Sequence, residues 1–183
     1  LVGKYLNGYG SLTSQNYVPP GWDDWQGLLD FSSSRPYFFN VNDNGVVAQH
    51  TTFNTDVMAQ RAVSFIEESS AGQPFFLFVA PSAPHLSINP QFNACPEAGA
   101  SPWEFNPVLL EQLSWGYTVF PAPRHQGLIY GNTTRFALPR PPSFNEDVSD
   151  KPAWYRNSRM SAANIDCLQK NYWRRLESLL GID

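Results

Sequence analysis

Apolar and polar positions are distributed unevenly along these 183 residues. Residues 1–35 hold no sustained period, and Gly3, Gly8, Gly10, Pro19, Pro20 and Gly21 punctuate them, so they read as loop. Residues 37–50, YFFNVNDNGVVAQH, carry apolar runs on both sides of Asn44-Gly45, the strongest short signal for a hairpin. A helical period starts at Thr55. Thr55 is a capping residue type, and Asp56 suits the positive end of a first turn. Val57, Met58, Ala62, Phe65 and Ile66 then fall on one face. Ser69-Ser70-Ala71-Gly72 ends the period.

The next run, Phe75 to Ala80, is apolar without alternation. Such a run predicts a strand buried on both faces, as in a parallel sheet covered by helices. Helix followed by buried strand is half of a βαβ unit. Residues 88–158 are irregular and proline-rich; a loop of that length is functional or is ordered by a larger body. Ser161 to Leu180 returns to a helical period through Ile165, Leu168, Tyr172, Leu176 and Leu179, with Gly181 as the stop. The expected class is α/β: a central sheet flanked by helices, with long Pro-rich loops.

Composition narrows the picture. Hydrophobic residues make up 42% and charged residues 15%, a globular balance. The net charge of −4 and the lack of a Lys/Arg cluster argue against a nucleic-acid partner. No apolar run approaches the roughly 18 residues a membrane helix needs. The chain starts at Leu1 with neither a basic nor an apolar leader, which reads as an internal portion of a longer polypeptide. Cys95 and Cys167 are too few for a metal site, and their spacing leaves pairing open. Asn132-Thr133-Thr134 is a glycosylation acceptor triplet, consistent with a secreted or lumenal setting.

Candidate chemistry centres on His85. In open α/β sheets, ligands sit beyond the carboxyl ends of the strands, and His85 lies five positions past Ala80. Pro81 and Pro84 stiffen the connection. The imidazole can accept a proton, hold an anion or protonate a leaving group; the alternative is that it only satisfies a loop carbonyl. Lys4 follows Gly3, which permits close backbone approach, and can meet an anionic substrate; the alternative is a solvated lysine. Trp22 and Trp25, around Asp23-Asp24, form either a ligand wall or a pin holding a loop on the core. Asn145, Glu146 and Lys151 read as loop scaffold, Arg124 and His125 as a surface basic pair, and Arg174 and Arg175 as a solvated helix face. His50, at the hairpin end, carries no functional argument.

The segments GKYLNGYG, YVPPGWDDW, NTDVMAQRAVSFI and PFFLFVAPSAPHLS, in this order, resemble the type I sulfatases. The branch most similar is that of the arylsulfatases and N-acetylglucosamine-6-sulfatases, and PRPPSFNEDVSDKPAW and RRLESLLGID fit it too. The resemblance implies an alkaline-phosphatase-like α/β fold that cleaves sulfate esters of aryl or sugar substrates. It implies a formylglycine nucleophile made within a C-x-P-x-R motif, and a Ca2+ ion held by two aspartates and an Asp-Asn pair. It also implies that the lysine of the GK motif binds the nucleophile and a sulfate oxygen, and that the histidine after the proline contacts sulfate and assists the leaving oxygen. By position these are Lys4 and His85.

The sequence departs from that pattern in several places. It contains no C-x-P-x-R; Cys95 is followed by Pro96-Glu97-Ala98-Gly99. No aspartate pair precedes Lys4, and Asp43-Asn44-Gly45 fits a hairpin turn rather than a late metal motif. The expectation is therefore a middle portion of a sulfatase catalytic domain over residues 1–183, with neither the nucleophile nor the Ca2+ ligands in this chain and little turnover by these residues alone. Two other readings stand beside it: a non-catalytic binding or structural piece, and a phosphoester hydrolase of the same superfamily.

Overall fold

The computed structural model describes residues 1–30, 32–69, 74–85, 87–89, 116–156 and 159–183. Its centre is a five-stranded sheet in the order β4-β3-β2-β1-β5. The strands are β1 (Val2–Lys4), β2 (Gln26–Leu28), β3 (Phe39–Asp43), β4 (Val46–His50) and β5 (Val79–Ala80). β1 runs parallel to β2, with Lys4 opposite Leu28, and parallel to β5, with Gly3 opposite Ala80. β2, β3 and β4 are antiparallel. The sheet is thus mixed and the class is α/β. A separate antiparallel pair joins β6 (Ser87–Asn89) to β7 (Gly116–Thr118).

The hairpin expected over 37–50 is present as β3 and β4. Asn44 and Gly45 carry φ of 49° and 93°, the double left-handed turn whose twist matches the flanking strands. Asn42 Oδ1 accepts the Gly45 N–H at 2.7 Å. Helix α1 spans Asn54–Ser69, so it starts one residue earlier than expected and Thr55 sits within its first turn rather than before it. Val57, Met58 and Ala62 are buried, whereas Ile66 at the far end of the same stripe is exposed.

Side-chain alternation sends neighbouring residues to opposite faces of the sheet. Val2, Leu28, Phe39 and Val41 meet Val57 and Met58 of α1 on one face. Leu1, Tyr9, Trp25 and Leu29 gather on the other, joined by Tyr5, Trp22 and Val47. Burying a side chain of this size contributes roughly 1.5–3 kcal/mol. Among the described residues, the second face is covered by an aromatic loop. Trp25 is the anchor of that loop: its ring meets those of Tyr5, Tyr9 and Trp22 edge-on, with centroids 5.0, 5.4 and 5.8 Å away. Its indole N–H donates to Tyr9 Oη at 2.7 Å, as does Asn42 Nδ2 at 2.8 Å, and Tyr9 Oη donates to the Tyr17 carbonyl at 2.6 Å. These bonds satisfy the polar atoms that the aromatic cluster carries inside.

Three expectations are corrected. Residues 1–35 contain two strands, β1 and β2, each too short to show a period. The apolar run Phe75–Ala80 forms strand only at Val79–Ala80, on the sheet edge. Phe75, Phe76 and Phe78 remain 48%, 77% and 46% exposed, because no described element covers them. Helix α2 spans Ala162–Leu179, capped by Ser161 in a reciprocal capping box with Asn164. It buries Trp173, Glu177 and Ser178, while Leu168 and Leu179 are exposed. The covering layer is the loop before it, held by polar atoms. Trp173 Nε1 donates to the Phe136 carbonyl at 2.7 Å, and Glu177 Oε1 accepts the N–H groups of Ile129 and Tyr130 at 2.9 and 2.8 Å. Arg174 is not on a solvated face: its guanidinium lies 5.7 Å from the Tyr130 ring centroid, and burial lowers its pKa.

Candidate functional site

Parallel pairing decides where the chemistry can lie. β1, β2 and β5 run in one direction, so the chain leaves all three at the same edge. Lys4 is the last residue of β1, and Pro81 follows Ala80, the partner of Gly3. The turn after β2 begins at Leu29. In open α/β sheets, ligands bind beyond such carboxyl ends.

The connections at this edge are tied to each other. The Gly8 N–H donates to Asp30 Oδ2, and the Asp30 N–H donates to the Tyr9 carbonyl at 2.8 Å. Ser82 Oγ donates to the Ser33 carbonyl, which fastens the loop after β5 to the loop after β2. The His85 N–H donates to the Ser82 carbonyl at 2.8 Å and closes a tight turn that leaves His85 exposed. The start of α1 is fastened to the same place: the Asn54 N–H donates to the Pro36 carbonyl at 2.8 Å, and Asn54 Nδ2 donates to the Arg35 carbonyl at 3.3 Å.

A small cavity of about 20 Å³ opens here, lined by Arg35, Asn54, Thr55, Ser82, His85 and Phe120 among others. Its lining residues include a histidine, an arginine and the first turn of α1, the positive end of the helix dipole. Among the described residues, no Asp or Glu lines it. The nearest first-turn carboxylate, Asp56, accepts two bonds from Arg124, at 2.9 and 2.7 Å. The phenol of Tyr37 has its pKa raised, first by burial and then by the negative charge of Asp56. Anions are the ligands that such a set of groups favours.

Lys4 and His85 thus leave adjacent parallel strands at one edge, although Lys4 is not among the residues lining the cavity. Among the described residues, Lys4 takes part in none of the ion pairs, which join Arg61 to Asp43, Arg124 to Asp56, Lys151 to Asp150 and Lys170 to Asp166. Asn132 lies elsewhere, in an exposed turn where its Oδ1 accepts the Arg135 N–H at 3.1 Å. Cys95 lies outside the described residues, and Asn171 Nδ2 is 3.8 Å from the Cys167 thiol.

The remaining residues singled out from the sequence have structural work. Asn145 and Met160 exchange hydrogen bonds in both directions, at 3.1 and 2.6 Å. The His50 ring stacks on Phe39, 5.5 Å between centroids, and its pKa is lowered by burial and then by Arg61. Trp22 and Asp24 line a larger cavity of about 700 Å³ together with Leu1, Phe65, Glu68 and Phe76. Leu1 precedes β1, so that cavity is at the opposite, amino edge of the strand. Asp24 Oδ1 accepts from Asn44 Nδ2 at 2.8 Å, a bond that braces the hairpin. Among the described residues, no three or more His, Cys, Asp or Glu gather as a metal-holding group.

Sequence reasoning missed Arg35. It lies in the turn after β2, and once β2 is unseen, that turn has no place at the carboxyl edge.

Comparison with known proteins gives a consistent set of relatives. The chain is 34% identical over 191 aligned positions to an arylsulfatase of Volvox carteri, covering 100% of this chain and 26% of that protein. It is 30% identical to an arylsulfatase of Chlamydomonas reinhardtii, over 97% of this chain and 26% of that one. It is 27% identical to the N-acetylglucosamine-6-sulfatase of Homo sapiens, over 97% of this chain and 30% of that one. The chain therefore spans between a quarter and a third of the length of these relatives. No family model matches it, and no solved structure does.

Proposed function

This chain is a sulfatase-family sequence, and on that premise we propose that the protein hydrolyses sulfate esters of aryl or sugar substrates, with Lys4 and His85 contacting the sulfate. The observation that carries the reading is the parallel register of β1 with β5. It sends Lys4 and the tied loop 81–85 out of one sheet edge. A sulfate ester keeps its negative charge on non-bridging oxygens, where a lysine ammonium stabilises it through the transition state. The ester oxygen leaves as an anion unless it is protonated, which is the work of an imidazole at His85. The fold reading that goes with this is an alkaline-phosphatase-like sheet of which residues 1–183 form a middle portion.

Sulfatases use a Ca2+ ion and a formylglycine nucleophile. The described residues of this chain do not fit that ion: no acidic group gathers to hold it, and Asp24 is engaged in bracing the hairpin. The sequence has no C-x-P-x-R segment in which formylglycine would arise. We place both groups in polypeptide outside these residues, so that residues 1–183 alone turn over no sulfate ester.

The direct test is hydrolysis by the intact protein. 4-Nitrophenyl sulfate is expected to be cleaved much faster than 4-nitrophenyl phosphate. The reverse preference would assign the site to phosphoester chemistry, and no cleavage of either would leave a non-catalytic member of the family. We also propose a secreted or lumenal setting, with a glycan on the exposed Asn132. Removal of N-glycans should lower the intact mass by that of a glycan and convert Asn132 to aspartate; an unchanged mass at that peptide would remove the argument.

A further inference from the structure

We infer that Arg35 is a specificity-determining residue that holds a second anionic group of the substrate, a sulfate or carboxylate beside the sulfate that is cleaved. The inference rests on the sulfate-ester reading above and adds the class of ester: a saccharide bearing more than one negative charge.

Three observations carry it. Arg35 is fixed by its backbone and not by its side chain. Its N–H donates to the Ser32 carbonyl at 2.9 Å, and its carbonyl accepts from Asn54 Nδ2 at 3.3 Å. Among the described residues the guanidinium itself makes no ion pair or hydrogen bond, although Arg35 is half-buried and lines the same cavity as His85. A cation held in place by its main chain, with its donors unspent, is organised in advance for an external anion and loses little entropy on binding.

Charge balance then asks for a second anion. On the sulfate-ester reading, the one negative charge of the ester to be cleaved is met by Lys4 and His85. Among the described residues no carboxylate lines the cavity to neutralise a further cation, and Asp56 is taken by Arg124. The third observation concerns the same wall. Asn54 is 3% exposed and, among the described residues, its Oδ1 has no hydrogen-bond partner. A buried acceptor of this kind is costly unless a donor reaches it. The cavity of about 20 Å³ has room for one hydroxyl group or water. An unspent arginine cation beside His85, at a cavity this small, describes a second anion held at its rim, as a polyanionic sugar carries and a plain aryl sulfate does not.

Selectivity of the intact protein tests this. Arg35→Ala is compared with wild type on three substrates: 4-nitrophenyl sulfate, a sugar with two sulfates, and a sulfated disaccharide with a uronate carboxylate. The expected result is that kcat/KM for at least one doubly charged sugar, relative to the aryl sulfate, falls by about tenfold, mostly through KM, the scale of one charge-assisted contact. Which sugar responds identifies sulfate or carboxylate as the bound group. An unchanged ratio for both sugars, or an equal loss on all three substrates, overturns the inference. The unfolding midpoint of Arg35→Ala checks that the fold is intact. Wild-type cleavage of the aryl sulfate separates the outcomes: if it is absent, the sulfate-ester reading fails; if it is present and the ratio does not move, only the role of Arg35 fails.

Discussion

Replacing His85 with alanine in the intact protein is expected to lower turnover of 4-nitrophenyl sulfate by roughly two to four powers of ten, the usual return of a positioned proton-transfer group. Position makes the experiment clean. His85 is exposed at the tip of a turn whose shape comes from other atoms: its own backbone N–H to Ser82, and Ser82 Oγ to Ser33. Truncation at Cβ keeps the backbone bond and the serine bond, which are what hold the turn to the sheet edge. Removing an exposed side chain away from a packed core changes stability by about 0.5 kcal/mol or less. A fall in kcat with an unchanged unfolding midpoint therefore reports on chemistry. Turnover equal to wild type would take His85 out of the site. A loss in kcat/KM carried wholly by KM would leave it as a binding group and not as the proton donor.

What the sequence disclosed, and what it hid, follows from the length of each element and from what covers it. The hairpin was legible because Asn44-Gly45 supplies two left-handed residues in a row, which few other pairs do. Helix α1 was legible because Val57, Met58 and Ala62 repeat with the helical period against a real sheet face. β1 and β2 were not, because three residues show no period; their place is set by pairing across more than twenty positions of sequence. The run Phe75–Ala80 misled for the opposite reason. Its apolarity is that of a strand with neighbours on every side, and in this structure it stands at the edge. On α2 the apolar stripe pointed to Leu168 and Leu179, yet the buried positions include Glu177 and Ser178, because a loop covers the helix through hydrogen bonds that hydrophobic patterning cannot register.

The candidate site divides in the same way. Lys4 and His85 were singled out by their local segments, and the resemblance to a family gave them their roles. Arg35 came only from the fold. Its neighbours in space are set by β2 running parallel to β1 and by the start of α1 closing over the turn that follows. Local sequence around Arg35 is Ser-Ser-Ser-Arg-Pro, which reads as an ordinary polar turn.

The geometric basis of the site can be tested at Gly3. This residue holds φ of 119°, where an L side chain is strained, and it faces the backbone of Ala80. A Cβ built there would lie 2.6 Å from the Ala80 carbonyl carbon and within the radius of its oxygen. The obstacle is main chain, so no rotamer change relieves it. Among the described residues β5 pairs with β1 alone, so the least costly escape is for β5 to separate. Gly3→Ala is therefore expected to destabilise the protein by about 3–5 kcal/mol, combining a disfavoured φ with lost strand pairing. It should also loosen the loop 81–85, since that loop is the continuation of β5. The expected readouts are a large drop in the denaturation midpoint, faster amide exchange at Val2, which donates to the Phe78 carbonyl at 2.9 Å, and loss of sulfate-ester turnover even though no proposed substrate contact is altered. Stability within 0.5 kcal/mol of wild type would contradict the close approach of β1 and β5. With it would go the common edge from which Lys4 and His85 are taken to act.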